Sequence, residues 1–237
     1  MSAARSDVIR WGRERVRTRP WRGQERVACI SPLPDAPAPS PAFLGRCARQ
    51  LSDQGFARVV TTALSPSEQA SFLVAGFEIE ERLHLLAHDL RHIPPTGDVA
   101  LHRVPRSARP SLLGVDAAAF PAFWRIDEDG LAEAMGATAH ARLRGASLSG
   151  TLVGYAVTGR SARRGFLQRL AVDPPAPRLG LGRALVVDAL VWLRRRRVDR
   201  AVVNTQLGNE AALALYQGVG FRLEPNGLCV LSLALGP

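Results

Sequence analysis

The sequence predicts an α/β protein, and three observations carry that prediction. From about residue 98 onward, strand-like apolar runs alternate with segments of helical periodicity. A proline-studded loop with two glycines joins one such run to an amphipathic helix, in "RLAVDPPAPRLGLGRALVVDALVWL" (169–193). The front of the chain also repeats, in degenerate form, the order of elements at the back.

In chain order, "VALHRV" (99–104) reads as a strand, and 111–137 as one or two helices interrupted near Pro121. "HARLRG" (140–145) and "LVGYAVTG" (152–159) form a strand pair, with "SLSG" supplying the turn. "GFLQRLAV" (165–172) is a further strand. Leu181, Leu185, Ala189 and Leu193 recur at helical spacing, which predicts a helix over 180–197. "AVVNTQ" (201–206) is a strand, 209–218 a helix, and "LCVLSLAL" (228–235) a closing strand.

The repeat sets "RVVTTALSPSEQASFLVAGF" (58–77) against "RAVVNTQLGNEAALALYQGVGF" (200–221). Phe72 then falls on Tyr216, and Gly76-Phe77 on Gly220-Phe221. "ERVACISPL" (25–33) matches the strand 165–172, and "FLGRCARQLSDQG" (43–55) the helix 180–197. Where the glycine corner would stand, "PDAPAPSP" has no glycine and four prolines, which cannot donate an N–H. The expected organisation is a basic segment over 1–26, a degenerate half-repeat over 27–97 and a complete domain over 98–237.

Composition narrows the function classes. With 237 residues and 46% apolar content the chain can bury a sizeable core, as one large domain or two small ones. No window offers about 18 uncharged apolar residues, so no membrane span is expected. "MSAARSDVIRWGRERVRTRPW" lacks the apolar stretch of a signal peptide, which favours the cytoplasm. Cys29, Cys47 and Cys229 are scattered and fit buried thiols in a reducing compartment. The net charge is +10 and every basic residue outside histidine is arginine, as expected of a GC-rich genome. Such a surface favours anionic ligands, here a polyphosphate cofactor before nucleic acid. Arginines interleaved with Trp11 and Trp21 fit a basic hairpin or a tail better than a nucleic-acid arm. "RRRR" (194–197) complements the dipole at a helix end. His84, His88 and His92 share one face of either a helix or a strand, but no HExxH accompanies them and no metal is assigned.

The corner at 169–193 carries the chemistry. Backbone N–H groups at a helix start, unobstructed by side chains, form an anion site. A P-loop requires a lysine, which the chain lacks. The dinucleotide pattern fits Gly180 and Gly182 but finds Leu185 at its third glycine, with no acidic residue about twenty positions on. A third pattern joins a Q/R-x-x-G-x-G/A loop, between strand and helix, to N-x-x-A-x-x-x-Y-x-x-x-G-F downstream. Gly180-Leu181-Gly182 follow Leu170-Ala171-Val172, and Asn209, Ala212, Tyr216, Gly220 and Phe221 stand at the downstream spacings. Over roughly 98–237 the chain resembles the GNAT superfamily of N-acetyltransferases.

The resemblance implies a mixed, largely antiparallel twisted sheet flanked by helices, preceded by a partial GNAT-like repeat. It implies acetyl-CoA as acyl-donor cosubstrate, and a primary amine as acceptor by direct attack in a ternary complex. The N–H groups of Arg178, Leu179, Gly180, Leu181, Gly182 and Arg183 would hold the pyrophosphate. Leu170, Ala171 and Val172 would pair with the pantetheine arm like an added strand, given a splay between strands 165–172 and 201–206. Pro177 stands at the family's Gln/Arg position, and Arg178 offers charge from the next. Tyr216 matches the tyrosine that protonates the departing sulfur, and Asn209 is a helix cap, a cofactor contact or both. The general base stays open. Asn204, which cannot act as a base, stands where the ribosomal-protein acetyltransferases of this family commonly have glutamate, so the candidates are Asp127, Glu128, Asp129, Glu133 and His140. The acceptor is a protein N-terminus, a lysine side chain or a small molecule. A non-catalytic acyl-CoA-binding module and a nucleic-acid-binding protein reusing the fold are the competing readings.

Overall fold

The computed structural model describes residues 7–33, 35–176 and 179–236. The chain divides into two compact units, one running to His84 and resuming at Pro225, the other spanning Leu85–Glu224.

In the first unit, β1 (Asp7–Trp11), β2 (Glu14–Trp21) and β3 (Gln24–Pro32) form an antiparallel meander. Period-two alternation turns Ile9 of β1 and Val16 and Thr18 of β2 inward, with Arg10 and Arg17 outside, and a register shift after Pro20 brings Trp21 inward as well. The helix α1 (Pro41–Asp53) crosses to β4 (Arg58–Thr61), which runs parallel to β3. The helix α2 (Pro66–Val74) then leads into β5 (Glu78–His88), and the division between the units falls within this strand. Both helices start at a serine followed by proline, Ser40-Pro41 and Ser65-Pro66, with a capping box from Glu68 at the second. Phe43, Leu44, Cys47, Leu51, Phe72 and Phe77 fill the core. Cys29, Cys47 and Cys229 are buried.

Two sequence expectations change here. The basic segment 1–26 is not separate, because β1 and β2 extend the sheet of the repeat. The closing strand, β12 (Leu228–Ala234), belongs to the first unit and not to a domain over 98–237. It lies antiparallel between β4 and β5, pairing Ser232 with Val60 and Leu228 with Leu83. His84 and His88 sit on β5, whereas His92 lies beyond it.

In the second unit, β6 (Leu101–Arg103), β7 (His140–Leu148), β8 (Thr151–Ser161), β9 (Arg164–Val172) and β10 (Arg200–Gln206) neighbour one another in that order. All pairings are antiparallel except β9 with β10, which a helical crossover makes parallel. The helices α3 (Arg109–Ala119) and α4 (Glu128–Gly136) cover one face, with Leu112, Leu131, Tyr155 and Val157 between them and the sheet. The helices α5 (Leu181–Arg195) and α6 (Glu210–Val219) share the core of the other. Leu181, Leu185, Ala189 and Leu193, the residues of predicted helical spacing, are all buried. A two-residue strand, β11 (Arg222–Leu223), pairs with the end of β5. Among the described residues no helix is long and apolar enough to cross a membrane.

The two units share one form of helix exit. Gly76 and Gly220 both leave their helices at positive φ, 91° and 104°. Phe77 N–H donates to Phe72 C=O at 3.1 Å, and Phe221 N–H to Tyr216 C=O at 3.0 Å. The paired rings lie 5.2 and 5.7 Å apart.

Candidate active site

The helix α5 starts from a left-handed glycine, and like α3, which follows a 3-10 turn, it has no side-chain cap. Side-chain oxygens of Ser40, Asp127 and Asn209 cap α1, α4 and α6, whereas α5 starts from Gly180 with no side-chain cap and no acidic residue in its first turn. Gly180 has φ +73°, a left-handed conformation that a side chain rarely adopts. Its carbonyl accepts the first helical bond, from Ala184 N–H at 2.9 Å. The N–H groups of Leu181, Gly182 and Arg183 belong to the first turn, where backbone donors point outward along the axis at the positive end of the helix. Leu179 is exposed and Leu181 buried, while the Arg183 side chain donates to Pro95 C=O at 3.2 Å. Pro177 and Arg178 lie outside the described residues.

Gly182 is needed for close approach. A Cβ there would stand 3.2 Å from Leu215 Cδ2 and 3.8 Å from a Val172 methyl. The corner therefore packs on the end of β9 and on α6. β10 pairs with β9 only from Arg200–Arg164 to Val202–Phe166. Beyond that register the two strands part, as the resemblance implied. Leu170, Ala171 and Val172 remain paired with β8, through Ala156, Tyr155 and Gly154, but have no partner in β10. An extended, amide-bearing chain can add to this edge.

Asn209 and Tyr216 come from α6. Asn209 Oδ1 accepts from Ala212 N–H at 3.1 Å, so its oxygen is a helix cap while its amide nitrogen stays available. Tyr216 is 5% exposed and follows Leu215, the residue against which Gly182 packs. Burial alone moves its phenol, upward, so the hydroxyl carries its proton at neutral pH. Of the candidate bases, Asp127 caps α4 through Gly130 N–H at 2.8 Å, and Glu128 lies 3.9 Å from Arg109. Asn204 and His140 are exposed. Among the described residues no three His, Cys, Asp or Glu side chains gather to hold a metal.

Sequence reasoning missed one buried network. Asp116 of α3, with no exposed surface, accepts from Tyr155 Oη at 2.6 Å and from Ile126 N–H at 2.9 Å. Arg169 binds it bidentately, Nε to Oδ2 and Nη2 to Oδ1, both at 2.8 Å. The same guanidinium donates to Trp124 C=O at 2.8 Å and lies 3.6 Å from the Phe120 ring centroid. Arg169 thus ties the connection 120–126 to the strand position just before Leu170–Val172. A signal existed in the sequence. Asp116 falls on the apolar face with Leu112 and Val115, where a carboxylate requires a buried partner.

The equivalent corner of the first unit is closed. A Glu14 carboxylate accepts from both Ser40 N–H and Ser40 Oγ at the start of α1. Burial, and then this nearby charge, push the Cys47 thiol up to about 12. β3 and β4 stay paired along all of β4, from Val27–Arg58 to Ile30–Thr61, so no splay opens.

The profile of the acetyltransferase (GNAT) family matches residues 110–221. A mycothiol acetyltransferase of Acidothermus cellulolyticus is 39% identical over 77 residues, which are 31% of this chain and 24% of that protein. A [ribosomal protein bS18]-alanine N-acetyltransferase of Escherichia coli is 36% identical over 73 residues, 31% of this chain and 49% of its own. The chain thus spans half or less of the length of these curated relatives. Among solved structures, a tandem GNAT protein from the clavulanic acid biosynthesis pathway superposes with a TM-score of 0.71 at 15% identity. That likeness covers 97% of this chain and 82% of the other, and it speaks to the fold. Residues 110–221 are therefore an acetyltransferase domain of the GNAT family.

Proposed function

We propose that the protein transfers the acetyl group of acetyl-CoA to a primary amine, with one cofactor per chain held by the second unit. The observation that carries this reading is the conjunction of the uncapped Gly180–Arg183 corner with the unpaired edge of Leu170–Val172. The donors fit the ligand. An uncapped, acid-free helix start suits a pyrophosphate, and a parted strand edge suits an extended diamide.

Bound acetyl-CoA supplies the activated thioester. The N–H groups of 179–183, with Arg178, hold the pyrophosphate, and Leu170–Val172 hold the arm in register. Tyr216 keeps a proton on its hydroxyl for the departing sulfur. Because the network at Asp116 fixes residues 120–126 to β9, that connection forms a stable wall for the acceptor. The acceptor amine must reach the site neutral, and water or a carboxylate carries its proton away.

Thiol release from acetyl-CoA, measured against a panel of amines, tests the reading. The panel holds a peptide with a free N-terminus, a lysine peptide, an aminoglycoside and a polyamine. Release that depends on at least one amine is expected. Saturable acetyl-CoA binding with no amine-dependent release would leave a binding module instead.

A further inference from the structure

The side of β7 and β8 that faces α5 is crowded with arginine. Along β7, Leu143 packs with α3 and α4, which leaves Arg142 and Arg144 on the α5 side. Arg160 of β8 stands opposite His140 on the same face. The helix contributes Asp188 and Trp192, and Arg196 follows its end. Arg142 Nη2 donates to Asp188 C=O at 3.0 Å and to its Oδ2 at 2.5 Å, and Arg144 Nε lies 3.7 Å from that same oxygen. The Arg142 and Arg196 guanidiniums stand 5.1 and 5.9 Å from the Trp192 ring centroid.

The charges do not balance. Asp188 is the single carboxylate in β6, β7, β8, β9 and α5. The Arg142 and Arg144 side chains are only 23% and 27% exposed, so water screens them incompletely. Burial, with Arg144 and Arg196 nearby, draws the Arg142 guanidinium down from its ordinary value against the pull of Asp188. The Nε–H groups of Arg142, Arg144 and Arg160 are buried and have no hydrogen-bond partner among the described residues. Half-buried like charges with unmet donors are unfavourable until an anion joins them.

We propose that Arg142, Arg144, Arg160 and Arg196, beside Trp192, form a binding site for a compact phosphate dianion, inorganic phosphate or a phosphomonoester. Planar guanidinium forks match phosphate oxygens. Arg142 and Arg144 share one carboxylate, Arg142 and Arg196 flank one indole, and Arg160 lies on the same strand face, a grouping that suits a compact ligand, whereas a nucleic-acid strand needs cations spaced along a groove. One dianion takes the cluster from a local charge of about +3 to about +1. Trp192 lies twelve residues past Gly180, about 18 Å along the helix, so the site is separate from the α5 corner.

The full chain is titrated with inorganic phosphate at constant ionic strength, with and without acetyl-CoA, by calorimetry and tryptophan fluorescence. Saturable binding of one phosphate, indifferent to acetyl-CoA, is expected. Arg144→Gln should weaken it roughly five- to tenfold and Asp188→Asn should tighten it by a similar factor, the worth of one nearby charge at a half-screened site. Should Arg144→Gln fail to fold, Asp188→Asn and the exposed Arg196→Gln still test the opposite signs. Glycerol 2-phosphate binding more tightly than phosphate would identify the ester as the ligand, and the reverse order the free ion. The proposal fails if phosphate does not saturate, if acetyl-CoA displaces it, or if the variants leave affinity unchanged. It fails equally if only a 20-nucleotide RNA binds, with affinity falling steeply in salt.

Discussion

Asp116→Ala should be among the most damaging single substitutions in the second unit. The carboxylate has no exposed surface and accepts four hydrogen bonds, from Tyr155, from Ile126 N–H and two from Arg169. Its removal leaves a guanidinium that is 9% exposed with the Trp124 carbonyl and the Phe120 ring as its remaining partners. Breaking a buried pair from one side costs about 3–5 kcal/mol, because the surviving charge stays buried. At this chain size that corresponds to a fall in melting temperature of roughly 6–20 °C. Tyr155→Phe keeps the ring and the charge pair and loses one bond to a charged acceptor, so about 1.5–2 kcal/mol is expected. The double variant Asp116→Leu with Arg169→Met removes both charges and should recover most of the loss. Urea unfolding followed by circular dichroism measures all three. A cost below about 1 kcal/mol for Asp116→Ala, or a double variant no better than the single, would refute the view that this pair holds residues 120–126 in place.

Tyr216→Phe removes only a hydroxyl, so acetyl-CoA affinity should hold while kcat falls roughly 10–300-fold, toward the low end of general-acid effects. Loss of affinity in step with rate would make the tyrosine a cofactor contact. His88 is 3% exposed, and its Nδ1 accepts from Leu90 N–H at 2.8 Å. Burial first of all lowers its pKa from 6.5 in the folded state. The unfolded chain therefore binds the proton more readily, and the stability this histidine contributes is complete above about pH 6.5 and lost as pH falls toward the folded pKa. The stability difference between wild type and His88→Gln, from urea unfolding at pH 5.5 and 7.5, should shrink at the lower pH. A constant difference would show that His88 acts without titrating. Glu14→Gln should cost the first unit about 1 kcal/mol, read by Trp11 and Trp21 fluorescence, and should add no second acetyl-CoA site.

Local pattern made most of the second unit legible. The helix α5 follows from Leu181, Leu185, Ala189 and Leu193, and the β7–β8 pair from alternation across a short turn. The matching helix exits at Gly76-Phe77 and Gly220-Phe221 were legible because turns of this kind are encoded within a few residues. What escaped was non-local. Nothing in "LCVLSLAL" specifies that Ser232 pairs with Val60, since any apolar strand edge accepts such a run. The ion pair between Asp116 and Arg169 spans 53 positions, and the Glu14 contact to Ser40 spans 26. The absent glycine at the first corner was readable, but the Glu14 carboxylate at the start of α1 was not. Of the candidate site, the glycine corner is legible because Gly180 has a left-handed backbone and a Cβ at Gly182 would crowd Leu215. A general base is not, because a carboxylate on an exposed helix end reads the same whether or not it touches a substrate.

Calorimetric titration of the full chain with acetyl-CoA, alongside Gly182→Ala and Gly182→Asp, tests the central claim most directly. At position 182 any Cβ crowds Leu215, so alanine reports the steric cost alone, whereas aspartate adds a negative charge at the proposed pyrophosphate site. The account predicts one acetyl-CoA per chain, a moderate loss with alanine and a loss of roughly 100-fold or more with aspartate, from like charges in a desolvated site. Equal affinities for Gly182→Ala and Gly182→Asp, or two molecules bound per chain, would contradict it.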